Sequence, residues 1–114
     1  MKTKWTLFSI QNPVTDSITA FPGDSERKIT IVFTDSLNVI LFNGVCNSGS
    51  GTYSLTTIPH EIKISEIITT KIGCKYGEWE GKVTQILQNA FNYSVYGNNL
   101  EITSNGGAMF FTKN

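Results

Sequence analysis

Two cysteines and a single histidine are the residues in this chain of 114 whose types most directly suggest chemistry. Cys46 and Cys74 could close into a disulfide if their Cα atoms came within about 4.4 to 6.8 Å of each other. They could also remain two buried thiols or act as a redox pair. A redox pair usually has C-x-x-C spacing at the start of a helix, which lowers the pKa of one thiol, and the spacing here differs. We therefore expect a structural role, and a bridge would contribute roughly 3 to 4 kcal/mol of stability.

The zinc and Ser/His/Asp patterns would both depend on His60, and neither of them is complete. A zinc site needs three or four ligands, and His60 with the two cysteines matches no zinc-binding spacing. A Ser/His/Asp hydrolase would need a nucleophile elbow, and the sequence contains none. Nothing selects a pair from the nine acidic residues for glycoside chemistry. The sequence therefore predicts no catalytic residue, metal or cofactor, and an exposed His60 in a turn after Pro59.

Composition limits the partners and the number of domains. A chain of this length predicts one domain, which we assign to residues 1–114. Nine basic residues balance nine acidic ones, so we expect no nucleic acid partner. Charged residues make up 16% of the chain, below the roughly 25% of ordinary soluble proteins, which favours a secreted or envelope protein. The longest apolar run, 39–42, is far shorter than the ~20 residues of a membrane span, so we predict no transmembrane segment.

The first residues of the chain are compatible with two cellular locations. Met1 to Trp5 contains a basic pair but lacks the apolar segment and cleavage site of a signal peptide. Either the protein is cytoplasmic, or the chain is a mature segment whose leader was removed, in which case a lipid anchor on the precursor is one alternative.

Hydrophobic patterning predicts a mainly β or α+β domain with a curved antiparallel sheet of about eight short strands. Residues 29–34 alternate apolar and polar side chains, and a turn at Asp35-Ser36 predicts a hairpin with the next strand. The Gly-rich stretch 44–51 indicates a bulged strand or a structured loop. Extended segments are predicted at 4–10, 28–34, 38–43, 52–56, 61–64, 67–68, 92–96, 100–104 and 108–113.

One amphipathic helix is predicted at about 77–91. Its apolar residues recur at helical spacing and define one buried face. Glu78 and Glu80 lie in its first turn, where a carboxylate favours the positive end of the helix dipole by roughly 0.3 to 1 kcal/mol. The predicted buried face consists of Trp79, Val83, Ile86, Leu87, Ala90 and Phe91.

Two spaced motifs resemble a known family. CNSGSGTY at 46–53 resembles the C-N-x-x-x-G-x-Y signature of the META domain, the family of the bacterial heat-shock protein HslJ. TKIGC at 70–74 is similar to its second signature, T-x-x-x-C, and WTL at 5–7 matches its opening W-x-L. The helix and the closing hairpin follow in the expected order, so the resemblance spans nearly the whole chain. The matched signature positions are Cys46, Asn47, Gly51, Tyr53, Thr70 and Cys74.

The resemblance implies a compact β-rich fold with one helix, found in bacteria chiefly as secreted, periplasmic or lipid-anchored proteins linked to stress responses. It implies no enzymatic activity, and none of the signature positions is catalytic. Gly51 would permit close backbone approach, Asn47 would satisfy loop amides, and the cysteines would tie two strands together. Val45 and Ser48 depart from the Gly and Arg that are usual in the family, so this member could have changed a binding surface.

Three functions follow as expectations. The first is a monomeric, non-catalytic envelope or stress-response domain that binds a protein partner through its surface. The second is a binder of a small apolar or sugar-like ligand, which requires a pocket of roughly 300 Å³ or more. The third is a thiol redox protein that uses Cys46 and Cys74, which requires an exposed cysteine with a lowered pKa.

Overall fold

The structure, a computed structural model, describes residues 4–23, 27–34 and 38–113, and it confirms the predicted fold class. The predicted turn at Asp35-Ser36 and the residues Met1 to Thr3 lie outside the described residues. The described part of the chain forms ten strands and one helix. These are β1 (Lys4–Gln11), β2 (Ile18–Ala20), β3 (Thr30–Phe33), β4 (Val39–Asn43), β5 (Ser48–Leu55), β6 (Ile62–Ile64), β7 (Ile68–Thr69), α1 (Gly77–Gln88), β8 (Ala90–Tyr96), β9 (Asn99–Ser104) and β10 (Gly107–Lys113).

The strands form one strongly curved antiparallel sheet in the order β6-β5-β4-β3-β1-β10-β9-β8. Strand β2 pairs with β1, and β7 pairs with β5. The two ends of the sheet approach each other, since Glu61 forms a bridge with Asn92 and the Tyr93 amide donates to the His60 carbonyl at 2.9 Å. The sheet is therefore nearly closed around its inner face. That face is filled by side chains, and the large ones that are completely buried are Phe42, Phe111, Ile29, Ile31, Ile40, Leu87, Ile102 and Met109.

A bulge at Phe8 determines which residues of β1 face the core. Leu7 pairs with Phe111 and Ser9 pairs with Phe110, so Phe8 has no partner of its own on β10. The extra residue reverses the alternation of the strand, so that Leu7 and Ile10 are both buried. Phe8 is 62% exposed on the outer face of the sheet.

The helix ends at Gln88, earlier than the predicted end near residue 91. The Asn89 amide donates back to the Ile86 carbonyl, and the chain then enters β8. Ala90 is buried opposite Ser104, but Phe91 is the bulged residue of β8 and is 45% exposed, so its placement on the buried helix face was wrong.

Strands β2 and β5 differ from the sequence-based expectation. Strand β2, within a stretch predicted to be polar loop, follows a turn in which the Asn12 side chain accepts the Val14 amide at 2.8 Å. Strand β5 begins at Ser48, inside the Gly-rich stretch. At Gly51 an added Cβ would lie 2.8 Å from the Ile67 side chain, so glycine here allows the segment before β7 to approach β5 closely.

Candidate functional site

Cys46 and Cys74 are joined by a disulfide, with their Cα atoms 6.3 Å apart and 28 positions apart in the sequence. Cys46 is half-buried in the loop after β4, and Cys74 is exposed in the segment that leads into α1. Because both cysteines are bridged, the structure contains no free thiol. The bridge therefore fastens the start of the helix to the sheet.

Glu80 lies beneath this bridge, and sequence reasoning missed it. Its side chain is only 4% exposed, although it lies in the first turn of α1. One carboxylate oxygen accepts the Cys46 amide at 2.8 Å, and the other accepts the Asn47 amide at 3.2 Å and the Asn47 side-chain amide at 3.0 Å. The carboxylate therefore caps the loop that carries the first signature.

The partners of this buried carboxylate are neutral. Among the described residues, its hydrogen bonds come from N–H groups of Cys46 and Asn47, and no lysine or arginine pairs with it. Three donors replace the water that a buried carboxylate loses, which is the condition for holding such a group inside a protein. Its place in the first turn of α1 also puts the negative charge near the positive end of the helix dipole.

Asn47 connects the first signature to the second. Its Oδ1 accepts the Thr70 hydroxyl at 2.8 Å and the Ile72 amide at 2.6 Å. Its Nδ2 donates to the Ile72 carbonyl at 2.9 Å and also to Glu80. Both ends of the side-chain amide are thus engaged, and only an asparagine of this length offers donor and acceptor in this arrangement.

Gly44 leaves the space that Glu80 occupies. A Cβ added at Gly44 would lie 2.5 Å from the carboxyl carbon of Glu80. The Gly44 amide also donates to the Asn47 carbonyl at 2.7 Å, which closes the loop on itself. Any larger residue at 44 would push the carboxylate away from its donors.

The other two signature positions support the sheet rather than this cluster. The Tyr53 hydroxyl donates to the Thr34 carbonyl at 2.8 Å, and its ring packs edge-on against Phe33 with centroids 5.1 Å apart. Gly51 allows the close packing beside Ile67. The structure thus brings together Cys46, Asn47, Thr70 and Cys74 with Glu80, which we call the signature cluster, and places Gly51 and Tyr53 farther along β5.

The family model for the META domain matches residues 1–114, the whole chain. The chain belongs to the META domain family. No curated protein matches its sequence. The signature cluster is therefore the local structure that the two motifs build in this META domain.

Two solved structures are similar to this META domain in fold. One is the NMR structure of a protein from Burkholderia xenovorans, with a TM-score of 0.79 at 18% identity, over 98% of this chain and 81% of the other. The other is the crystal structure of a DUF4847 family protein from Bacteroides vulgatus, with a TM-score of 0.68 at 12% identity, over 97% of this chain and 92% of the other. At such identities the likeness concerns the fold alone.

A sequence signal for Glu80 did exist. Glu80, Val83 and Leu87 recur at i, i+3 and i+7, so the acid lies on the apolar stripe of the helix. An acidic residue in that position is buried unless the helix tilts away from the sheet. The predicted role of Glu80 concerned only the helix dipole, and the predicted buried face did not include it. His60, by contrast, is exposed as expected, and its ring lies 3.2 Å from the Tyr93 carbonyl.

The surface cavities lined by the described residues include three of about 280 to 410 Å³. The largest, about 410 Å³, lies between the β1–β2 turn and α1 and includes Trp79 and Lys82 in its wall. A second, about 280 Å³, is lined by residues of β1, β2, β8, β9 and β10, most of them apolar. A third, about 290 Å³, lies beside the signature cluster. No helix in the described part of the chain has the length and apolarity needed to cross a membrane.

Proposed function

We propose that this META domain is a non-catalytic stress-response protein of the bacterial envelope, periplasmic, secreted or lipid-anchored, that binds a partner protein through an outer apolar face. The observation that carries the proposal is a group of apolar side chains on the outside of the sheet. Phe8 is 62% exposed, Ile18 61% and Tyr96 50%, and all three surround the half-buried Phe110. We call these four residues the outer apolar face.

The shape and chemistry of the outer apolar face suit a protein partner. Its four side chains line an open cleft of about 280 Å³, and none of the described residues in the lining is charged. Contiguous exposed apolar surface of this kind marks interaction sites in soluble proteins, and aromatic side chains contribute most of the binding energy at such sites. The bulge at Phe8 turns that aromatic ring outward, so the backbone geometry of β1 presents it to a partner.

The signature cluster supports a structural rather than a catalytic role. Glu80, Asn47 and Thr70 are engaged with each other and with backbone groups, and the cysteines are bridged. A catalytic acid or nucleophile would instead need a proton or lone pair directed at a substrate. The disulfide also supports the envelope, because structural disulfides persist in oxidising compartments such as the periplasm.

Site-directed photo-crosslinking in bacterial cells tests the proposed binding surface. A photoreactive phenylalanine analogue replaces Phe8 in one strain and Ile58, which is 58% exposed elsewhere on the molecule, in a matched strain. We expect a discrete protein adduct from position 8 only, weakened when Ile18→Ser is added to the same chain. Equal adducts from both positions, or none from position 8, would contradict the proposal.

The largest cavity favours a second candidate function, the binding of a small sugar-like ligand. Its volume of about 410 Å³ exceeds the roughly 300 Å³ that small-molecule sites need. The Trp79 ring, held edge-on against Phe21 at 5.2 Å, provides an aromatic wall, and Gln11 and Gln85 provide amides in the same lining. Saturable changes in tryptophan fluorescence on titration with neutral and amino sugars, lost in Trp79→Phe, would support this candidate. The absence of saturable change across the panel would reject it.

A further inference from the structure

We propose that reduction of the Cys46–Cys74 bridge converts the signature cluster into a Zn²⁺ site, with both cysteine sulfurs and the Glu80 carboxylate as ligands. The ligand atoms of these three residues all lie within 4.8 Å of one another. Thiolate and carboxylate are both ordinary zinc ligands, and three protein ligands with a water in the fourth position form a common zinc geometry. The proposal is independent of the function proposed above.

The two thiols would stay close together after the bridge opens, because other bonds hold their segments in place. Asn47, next to Cys46, exchanges hydrogen bonds with both the amide and the carbonyl of Ile72. The Thr70 amide also donates to the Ser48 carbonyl at 3.0 Å. A metal ion would therefore meet two sulfurs on segments that are already adjacent, which lowers the entropic cost of assembling the site.

Glu80 is oriented as a metal-binding carboxylate usually is. Ligating carboxylates are themselves fixed by hydrogen bonds from outer residues, and here the Cys46 and Asn47 amides fix both oxygens. The oxygen that accepts the Cys46 amide accepts no other hydrogen bond among the described residues, so it keeps a second lone pair for a metal ion. The donors to the buried carboxylate are neutral among the described residues, so no lysine or arginine competes with a metal ion for its oxygens.

A dithiol can supply the electrons and protons that reduction of the Cys46–Cys74 bridge requires. Two electrons and two protons pass from the dithiol to the bridge, the sulfur–sulfur bond of Cys46 and Cys74 breaks, and the reductant closes its own disulfide. Zn²⁺ binding then displaces the two thiol protons to solvent, because the thiolate is the ligand form. The cavity of about 290 Å³ beside Glu80 and Gly77 gives water access to the cluster from its open side.

X-ray absorption spectroscopy of the wild-type protein identifies the ligand atoms of the bound Zn²⁺ directly. Protein reduced with a dithiol without oxygen is loaded with Zn²⁺, and excess metal is removed. We expect one Zn²⁺ per chain, with two sulfur ligands at about 2.3 Å and two oxygen ligands at about 2.0 to 2.2 Å. The oxidised protein, treated identically, is the control and should retain none. Failure of the reduced protein to bind one equivalent, or a shell of four sulfurs or of oxygen and nitrogen alone, would overturn the proposal.

A pair of variants then tests the carboxylate. Zn²⁺ affinity of the reduced protein is measured by competition with a chelator for Glu80→Gln and for Glu78→Gln, which changes an exposed acid in the same helical turn. We expect at least about tenfold weaker binding for Glu80→Gln, in keeping with the loss of a ligand, and wild-type affinity for the control. Unchanged affinity in Glu80→Gln would remove Glu80 from the site. If that variant does not fold, Glu80→Asp, which keeps the charge but shortens the side chain, is compared with Glu78→Asp in the same competition, and equal affinity in those two variants would remove Glu80 from the site.

Discussion

The Glu80 carboxylate accepts the backbone amide of Cys46 at 2.8 Å, although 34 positions separate the two residues in the sequence. This bond connects the first turn of α1 to the loop after β4. It lies beneath the disulfide that joins the same loop to the segment preceding the helix. Two different interactions thus fix the helix to the sheet at one place, and the residues of both META signatures take part.

Removal of the Glu80 side chain tests the first of these interactions. In Glu80→Ala three N–H groups of Cys46 and Asn47 lose their acceptor, and buried donors without partners are costly. We expect the free energy of unfolding to fall by about 2 to 4 kcal/mol, measured by denaturant titration. The control, Glu78→Ala, removes an exposed acid from the same turn and should cost less than about 0.5 kcal/mol. Equal losses in the two variants would show that the buried bonds contribute nothing specific.

Two glycine-to-alanine substitutions should change the free energy of unfolding in opposite directions. In Gly44→Ala the new methyl group would lie 2.5 Å from the Glu80 carboxyl carbon, so the carboxylate must move away from its donors. We expect a loss of about 2 kcal/mol or more in the free energy of unfolding. Gly81→Ala adds a methyl group that meets nothing within 4 Å, in the interior of α1. Because alanine favours the helix over glycine, this variant should gain about 0.5 to 1 kcal/mol. Thermal melting that ranks the two in the reverse order would contradict the packing described here.

Loss of the disulfide should lower stability without loss of the fold. The bridge closes a loop with a sequence separation of 28, and the loop-entropy model gives about 3 to 4 kcal/mol for such a loop. We expect the double variant Cys46→Ser, Cys74→Ser to retain the wild-type circular dichroism spectrum and to unfold at lower denaturant concentration by that amount. The same shift should appear when the wild-type protein is unfolded in a dithiol. A double variant as stable as the oxidised wild type would show that the bridge has no structural role.

Much of the sheet follows from the sequence, because alternation over a few residues fixes a strand wherever one face is buried. Residues 29–34 and 100–104 alternate in this way, strand β3 lies within the first range, and strand β9 covers the second and begins one residue before it. The bulges at Phe8 and Phe91 could not be predicted from the sequence. A bulge is an extra residue relative to the paired strand, so it is recognisable only once the neighbouring strand is in place. Strand β2 was also missed, since all three of its residues are exposed and leave no hydrophobic pattern.

The candidate site, like the sheet, could be predicted from the sequence only in part. The motifs placed Cys46, Asn47, Thr70 and Cys74 near each other, because their spacing resembles that of a known family. Glu80 belongs to neither motif. A glutamate in the first turn of a helix can lie in solvent or beneath a loop, and only the tertiary structure determines that Glu80 is buried. Its partner position, Gly44, makes sense only once the carboxylate occupies the space beside it.

Glu80 and Asn47 act together as one structural unit, and a double-mutant cycle tests this coupling most directly. Glu80→Ala, Asn47→Ala and the double variant are compared by denaturant unfolding. We predict a coupling free energy of about 1 to 3 kcal/mol, because either single change leaves groups of the other residue without partners. The matched cycle with Glu78→Ala should be additive to within about 0.5 kcal/mol. If the Glu80 cycle were additive as well, Glu80 and Asn47 would contribute to stability independently of each other, contrary to this prediction.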